Sequence, residues 1–180
     1  SAGGHLKLYS DDGSVMASTH RLGAIDFAGA ETAESDTDLR DGTISVGASI
    51  QSFADEAWTG SANGGILTFH TVDNTTTTLD ERMRIDHNGN MGIGTATPDG
   101  LLHLKATNGS DIILRRTSAD TSGTLGSVHF GNEDVDGYLA SIYSKQDGAT
   151  DSAYMSFETE ATGGAKAERM RITSSGNVGI

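Results

Sequence analysis

Apolar residues recur along this chain at every second position, in short runs, and almost nowhere at helical spacing. In Met155-Ser156-Phe157-Glu158-Thr159 the apolar side chains fall on odd numbers and the polar ones on even, as a strand with one wet face requires. Glu81-Arg82-Met83-Arg84-Ile85 sets Met83 and Ile85 on one face and both arginines on the other. Shorter pairs of the same kind are Leu6 with Leu8, Ile25 with Phe27, Ile44 with Val46, Leu102 with Leu104 and Val128 with Phe130. No stretch holds helical spacing over three turns. Residues 52–58 fit one helical turn capped by Ser52 or, equally, a bulged strand. The pattern predicts an all-β chain of short strands.

Turn residues separate these runs, with 24 glycines against a single proline. Asn88-Gly89 follows one arginine strand and Ser175-Gly176 follows the other, so each reads as strand, two-residue-type turn, strand. Residues 30–42 and 72–78 are long polar stretches, expected as loops that absorb the differences between copies. Residues 94–98 form a link in which Pro98 favours an extended backbone.

The runs themselves repeat. Glu81, Arg82, Met83, Arg84 and Ile85 recur as Glu168, Arg169, Met170, Arg171 and Ile172. The downstream Gly89, Asn90, Gly92 and Ile93 recur as Gly176, Asn177, Gly179 and Ile180, all at an offset of 87 residues. Looser matches extend upstream in the same order. Leu67-Thr68-Phe69-His70-Thr71 answers Met155 to Thr159, Ala48-Ser49-Ile50 answers Ala140-Ser141-Ile142, and residues 22–27 answer 125–130. His5-Leu6-Lys7 answers His103-Leu104-Lys105. Two tandem units are expected, residues 1–97 and 98–180, the second cut short at its C-terminal end within a longer repeat array.

Composition narrows the function. The formal charge is −13 with 12 Lys plus Arg, which gives a phosphate backbone or an anionic membrane the wrong sign of partner. No apolar run approaches the ~20 residues of a membrane span. With 35% hydrophobic and 6% aromatic residues the core is lean, so burial against other chains is expected to supplement it. No cysteine is present to form disulfides or thiolate–metal sites.

The segments Gly47-Ala48-Ser49-Ile50, Ala57-Trp58-Thr59, Leu67 to Thr71 and Glu81 to Thr95 together resemble a repeat common in tail fibres and related adhesion proteins of tailed bacteriophages. The resemblance implies tandem β-rich repeats in an elongated, intertwined homotrimeric fibre of the virion. It also implies partners that are the chain's own copies, adjoining fibre segments and a host surface glycan or protein, with no nucleic acid and no membrane insertion. In that family such repeats often precede a C-terminal self-cleaving intramolecular chaperone. The second unit departs from the first in lacking a counterpart of Trp58 and in placing Thr173 where the first has Asp86. The expected function is a structural and adhesive module. The alternatives are a carbohydrate-binding or polysaccharide-degrading fibre domain and a bacterial surface filament built from the same repeat.

The paired arginines are the candidate site. Guanidinium matches carboxylate bidentately, so Arg82 with Arg84 and Arg169 with Arg171 suit either an acidic sugar or a structural carboxylate. Their presence in both units while the loops diverge favours the structural role. Residues 86–90 resemble the start of a calcium loop but lack its sixth-position glycine and downstream glutamate, and read as a turn. The histidines His5, His20, His70, His87, His103 and His129 form no metal-ligand spacing, although a three-fold axis could gather three copies of one. No nucleophile elbow or phosphate loop appears. The expectation is therefore no enzyme, no cofactor and no chain-local metal.

Overall fold

The structure is a computed structural model that describes residues 6–10, 14–30, 44–132 and 136–180. The expected loop 30–42 lies almost wholly outside the described residues. The chain is all-β among those residues and divides into two compact units, Ser1–Asp111 and Ile112–Ile180.

In the first unit β1 (Arg21–Ala30), β2 (Ile44–Ala54), β3 (Gly65–Val72), β4 (Leu79–Ile85), β5 (Met91–Ile93) and β6 (Leu102–Leu104) form one sheet in sequence order. All neighbours are antiparallel except β5 and β6, which run parallel. In the second unit β7 (Ser122–Asn132), β8 (Asp136–Asp147), β9 (Ala153–Thr159), β10 (Ala167–Ile172) and β11 (Val178–Gly179) form an antiparallel sheet, again in sequence order. The β6 strand, which belongs to the second repeat by sequence, completes the sheet of the first.

Register converts the alternating pattern into continuous rows across each sheet. One row runs Ile25, Ile50, Phe69, Met83, Ile93 and Leu104. Its equivalent runs Val128, Ile142, Phe157 and Met170. A second row runs Gly23, Ser52, Leu67, Ile85, Met91 and Leu102, answered by Gly126, Ser144, Met155, Ile172 and Val178. Each sheet therefore has one apolar face and one polar face, as a period of two demands.

Burial runs opposite to the usual arrangement. Ser49, Thr68, Ser141 and Ser156 on the polar faces are buried, Ser156 completely, beneath longer neighbours such as Arg84, Tyr143 and Arg171. On the apolar faces Phe27 is 57% exposed, Phe130 55% and Met155 44%. Met83, Ile85, Met170 and Ile172 are half-buried. Only Met16 and Ala54 form a buried hydrophobic core among the described residues.

Three local expectations are corrected. Residues 52–58 form neither a helical turn nor a bulged strand of their own: β2 ends at Ala54, and the chain then enters the connection to β3. There Trp58 donates Nε1–H to the Gly64 carbonyl at 3.0 Å. The Leu6–Leu8 pair is not part of a strand. Instead Leu8 packs onto β1, where a Cβ on Gly23 would meet Leu8 Cβ at 2.9 Å. The second unit repeats this contact, with Leu114 Cβ 2.7 Å from the position a Cβ on Gly126 would take. The third correction concerns the turns after β4 and β10. Each closes on three residues rather than two, because Asp86 pairs with Asn90 and Thr173 with Asn177.

The repeated Leu-Gly of β1 and β7 is thus a seat for a crossing leucine. Gly126→Ala is expected to lower the melting temperature, at a cost of about 1–3 kcal/mol. Gly137→Ala, with nothing within 4 Å of its added Cβ, is expected to leave it unchanged. Thermal unfolding by circular dichroism distinguishes the two.

Candidate functional site

The arginine strands deviate from plain alternation at one residue. Phe69 faces Met83 and His70 faces Glu81, which leaves Arg82 as the extra residue of a β-bulge; Phe157 with Met170 and Glu158 with Glu168 do the same for Arg169. The extra residue shifts everything before it to the other face, so Glu81 joins Arg84 on the polar side instead of joining Met83. Arg84 donates Nε–H and Nη2–H to the two carboxylate oxygens of Glu81 at 2.7 Å each. Arg171 holds Glu168 identically at 2.8 Å. The motif Glu-Arg-Met-Arg-Ile is a bulged strand whose first and fourth residues form a bidentate ion pair.

The two pairs differ in setting. The Arg84 side chain is 17% exposed and that of Arg171 42%. The Glu81 hydrogen bond, with its charge, outweighs desolvation and raises the Arg84 pKa above its ordinary value. In the second unit the Arg171 hydrogen bond holds Glu168 below the usual glutamate range. Arg171 also stacks its guanidinium 4.0 Å from the Tyr154 ring centroid.

The bulged arginines point elsewhere. Arg82 donates to Thr71 Oγ1 at 2.9 Å and to Asp73 at 2.6 Å, with Asp80 at 3.3 Å. Arg169 donates to Thr159 Oγ1, the counterpart of Thr71, at 3.1 Å. All four motif arginines are therefore engaged within their own sheets.

The Gly-Asn close is built around one side chain. Asp86 Oδ1 accepts the N–H groups of Asn88 and Asn90 at 2.9 Å each, while Gly89 takes the left-handed conformation at φ 82°. Thr173 Oγ1 substitutes by accepting the Asn177 N–H at 3.1 Å, with Gly176 at φ 85°. A three-residue hairpin with a left-handed glycine follows in both units. Desolvation acts to raise the Asp86 pKa, but the hydrogen bonds from Asn90 and Asn88 together hold it below the ordinary value. Each turn is also tied to the end of the preceding hairpin. His87 Nδ1 sits against the Asp55 carboxylate, and Asp147 accepts from Ser152 and Ser174, which hold its carboxyl low.

Past the turn, Gly92 packs where a Cβ would lie 2.5 Å from the Thr95 carbonyl oxygen, and Gly94, at φ 73°, where a Cβ would lie 2.1 Å from that of Lys105. Ile93 enters the apolar row beside Met83 and Leu104. Gly179 pairs with Arg171, while Ile180 is fully exposed.

Sequence spacing gave no hint of a polar cluster in the second unit. Lys166, from the β9–β10 connection, donates to Ser141 Oγ at 2.8 Å and Tyr143 Oη at 2.7 Å, and His129 Nδ1 lies 2.8 Å from Ser141 Oγ. The lysine hydrogen bond lowers the Tyr143 pKa. Lys145 pairs with Glu158 at 2.6 Å beside it. Among the described residues no three His, Asp or Glu side chains group to hold a metal. Trp58 lines a shallow groove with Leu8, Leu22, Ile50 and Leu67, and the described residues lining it include no carboxylate.

No family model matches the sequence, and no curated protein matches it. Two of the solved structures similar to the chain come from one fibre. One is the carboxy-terminal domain of the bacteriophage T5 L-shaped tail fibre with its intramolecular chaperone domain. The other is the carboxy-terminal domain of the same fibre. Each is 14% identical with a TM-score of 0.48 over 99% of this chain, which spans 59% of the first and 85% of the second.

Removing one partner of the more enclosed pair leaves a charge uncompensated, so Arg84→Ala is expected to cost on the order of 1–3 kcal/mol, less than a fully buried pair would. Arg171→Ala is expected to cost less than Arg84→Ala, and both are read by thermal melting. Asp86 makes a pH-dependent contribution of defined sign. Its depressed pKa stabilises the fold in full above the ordinary value of 3.8, and the contribution is lost as pH falls through the lower folded value. The stability gap between the parent and Asp86→Ala should therefore be constant at neutral pH and narrow below about pH 4.

Proposed function

We propose that this chain is a structural and adhesive module of a phage tail fibre, in which three copies associate through the apolar faces of their sheets. The supporting observation is the pair of apolar rows that a single copy leaves open. Leu67, Val128 and Met155 stand exposed in those rows, and Phe27 and Phe130 beside them on the same faces. Covering each would contribute about 2 kcal/mol, a large gain for units with so little core of their own. The family resemblance of the repeated motif supplies the fibre context.

In this reading residues 1–97 and 98–180 are successive repeats, and Glu81 to Ile93 and Glu168 to Ile180 are their architectural signatures. The ion pairs of Arg84 and Arg171 fix strand register, the Asp86 and Thr173 turns close the hairpins, and the acidic exterior of a −13 chain keeps neighbouring fibres apart. Host attachment falls to the variable loops, multiplied by the three copies. The work is mechanical rather than catalytic, and its place is the virion. The described residues of the groove beside Trp58 include none of the paired carboxylates that polysaccharide hydrolysis uses.

Light scattering on the purified chain tests the reading. The expected mass is three times the 18.7 kDa of one copy, with β-rich circular dichroism. Phe27→Asp combined with Phe130→Asp should abolish the trimer. A folded, monodisperse monomer at micromolar concentration would contradict the proposal.

A further inference from the structure

The polar face of the first sheet carries a cavity of about 360 Å³ beside the Arg84–Glu81 pair. Phe53 and Ile66 are cross-strand partners on β2 and β3, and Arg84 lies across from Thr68, so an apolar wall and a charged floor meet there. His70, Asp55 and Thr19 also line it. The second unit treats the equivalent positions differently. Lys145 and Tyr154 are the cross-strand partners at the places of Phe53 and Ile66, and Glu158 answers His70. There the Arg171 guanidinium stacks on Tyr154 at 4.0 Å and Lys145 reaches Glu158 at 2.6 Å. The side chains of that unit engage one another.

Two features of the first unit's lining stand apart from packing. His70 Nε2 lies 2.9 Å from Thr68 Oγ1, and the one proton of that hydroxyl is donated to the Gln51 carbonyl at 3.2 Å. Thr68 therefore accepts, and in the neutral ring Nε2 carries the proton. This leaves His70 Nδ1 a bare acceptor, buried with no partner among the described residues. Thr19 is a β-branched residue held at φ 71°, in the left-handed region that such side chains avoid. Its N–H donates to the Ala54 carbonyl at 2.7 Å and the Ala54 N–H donates to that of His20 at 2.8 Å, which pins the strained backbone against the end of β2.

We propose that this cavity binds one neutral sugar ring. Phe53 and Ile66 offer apolar surface to the C–H groups of a pyranose, while the Glu81 and Asp55 carboxylates and His70 Nδ1 accept from its hydroxyl groups. The N–H groups that Arg84 does not give to Glu81 donate in return. Two carboxylates against one guanidinium disfavour an anion, so acidic sugars are rejected. The volume lies near the lower end for small-molecule sites and fits a single ring. The site adds a place on the sheet itself to the adhesive part of the reading above, and rests on that reading only for the source of the sugar.

Methyl glucoside, methyl galactoside and methyl mannoside, each added to the full chain up to about 50 mM, occupy most of any millimolar site and so test the proposal. The His70 ring and Ile66 methyl NMR signals should move with at least one of them and stay in place with glucuronate. The combined variant Phe53→Lys, Ile66→Tyr and His70→Glu gives the first unit the lining with which the second unit already folds. It should keep β-rich circular dichroism and lose saturation transfer to the glycoside. If no glycoside moves the His70 and Ile66 signals, if glucuronate moves them equally, or if the folded variant keeps the transfer, the proposal is overturned. Light scattering on the same samples reads the oligomeric state separately, so failure of the sugar site and failure of trimer association are distinct results.

Discussion

A β-sheet one layer thick cannot cover its own apolar face, and the organisation of this chain follows from that constraint. Each unit arranges its strands in sequence order, in a register that brings Ile25, Ile50, Phe69 and Met83 of the first and Val128, Ile142, Phe157 and Met170 of the second onto one side in continuous rows. Among the described residues little covers those rows beyond one crossing segment, anchored by Leu8 on Gly23 in the first unit and by Leu114 on Gly126 in the second. The well-enclosed positions are instead polar, Thr68 and Ser156 among them, sheltered under long side chains on the opposite face.

The polar face carries the specificity that the apolar face cannot. Rows of interchangeable aliphatic residues leave register loosely defined, and a slip of one residue would exchange the faces. In the reading proposed above the Arg84–Glu81 and Arg171–Glu168 pairs counter this, because each is formed across the bulge at Arg82 or Arg169. The turns add a second constraint. Asp86 and Thr173 differ chemically, but each offers an oxygen to the N–H four residues on, so the loop length survives the substitution.

Much of this architecture is legible in the residues. Alternation in 155–159 and 81–85 gives strands, Asn88-Gly89 and Ser175-Gly176 give hairpins, and the duplicated motif lies on β4 of one sheet and β10 of the other. Alternation also assigns Met83 and Ile85 to one face and Arg84 to the other, as observed. It misplaces Glu81, because a bulge changes the parity of a strand without leaving a mark in hydrophobicity. The motif's glutamate therefore gains its meaning only from the ladder. Two further features depend on contacts distant in sequence and have no local signal: the parallel pairing of β6 with β5, and the approach of Lys166 to Tyr143 and Ser141. Gly92 reads from sequence as part of the repeated motif and Gly94 as the start of a link, while the structure shows them as points of close approach by Thr95 and Lys105.

The account stands or falls on whether the apolar faces are covered in the working protein. Methionine offers a direct probe, since Met155 lies on that face with 44% of its surface open in one copy. Peroxide oxidation of the native, assembled protein, followed residue by residue by mass spectrometry, measures its accessibility. Association through the faces predicts that Met155 oxidises at least about tenfold more slowly than in the unfolded chain, with Met83 and Met170 protected alongside it. Oxidation of Met155 in the native protein at the rate of a free methionine would show the face open to water and contradict the account.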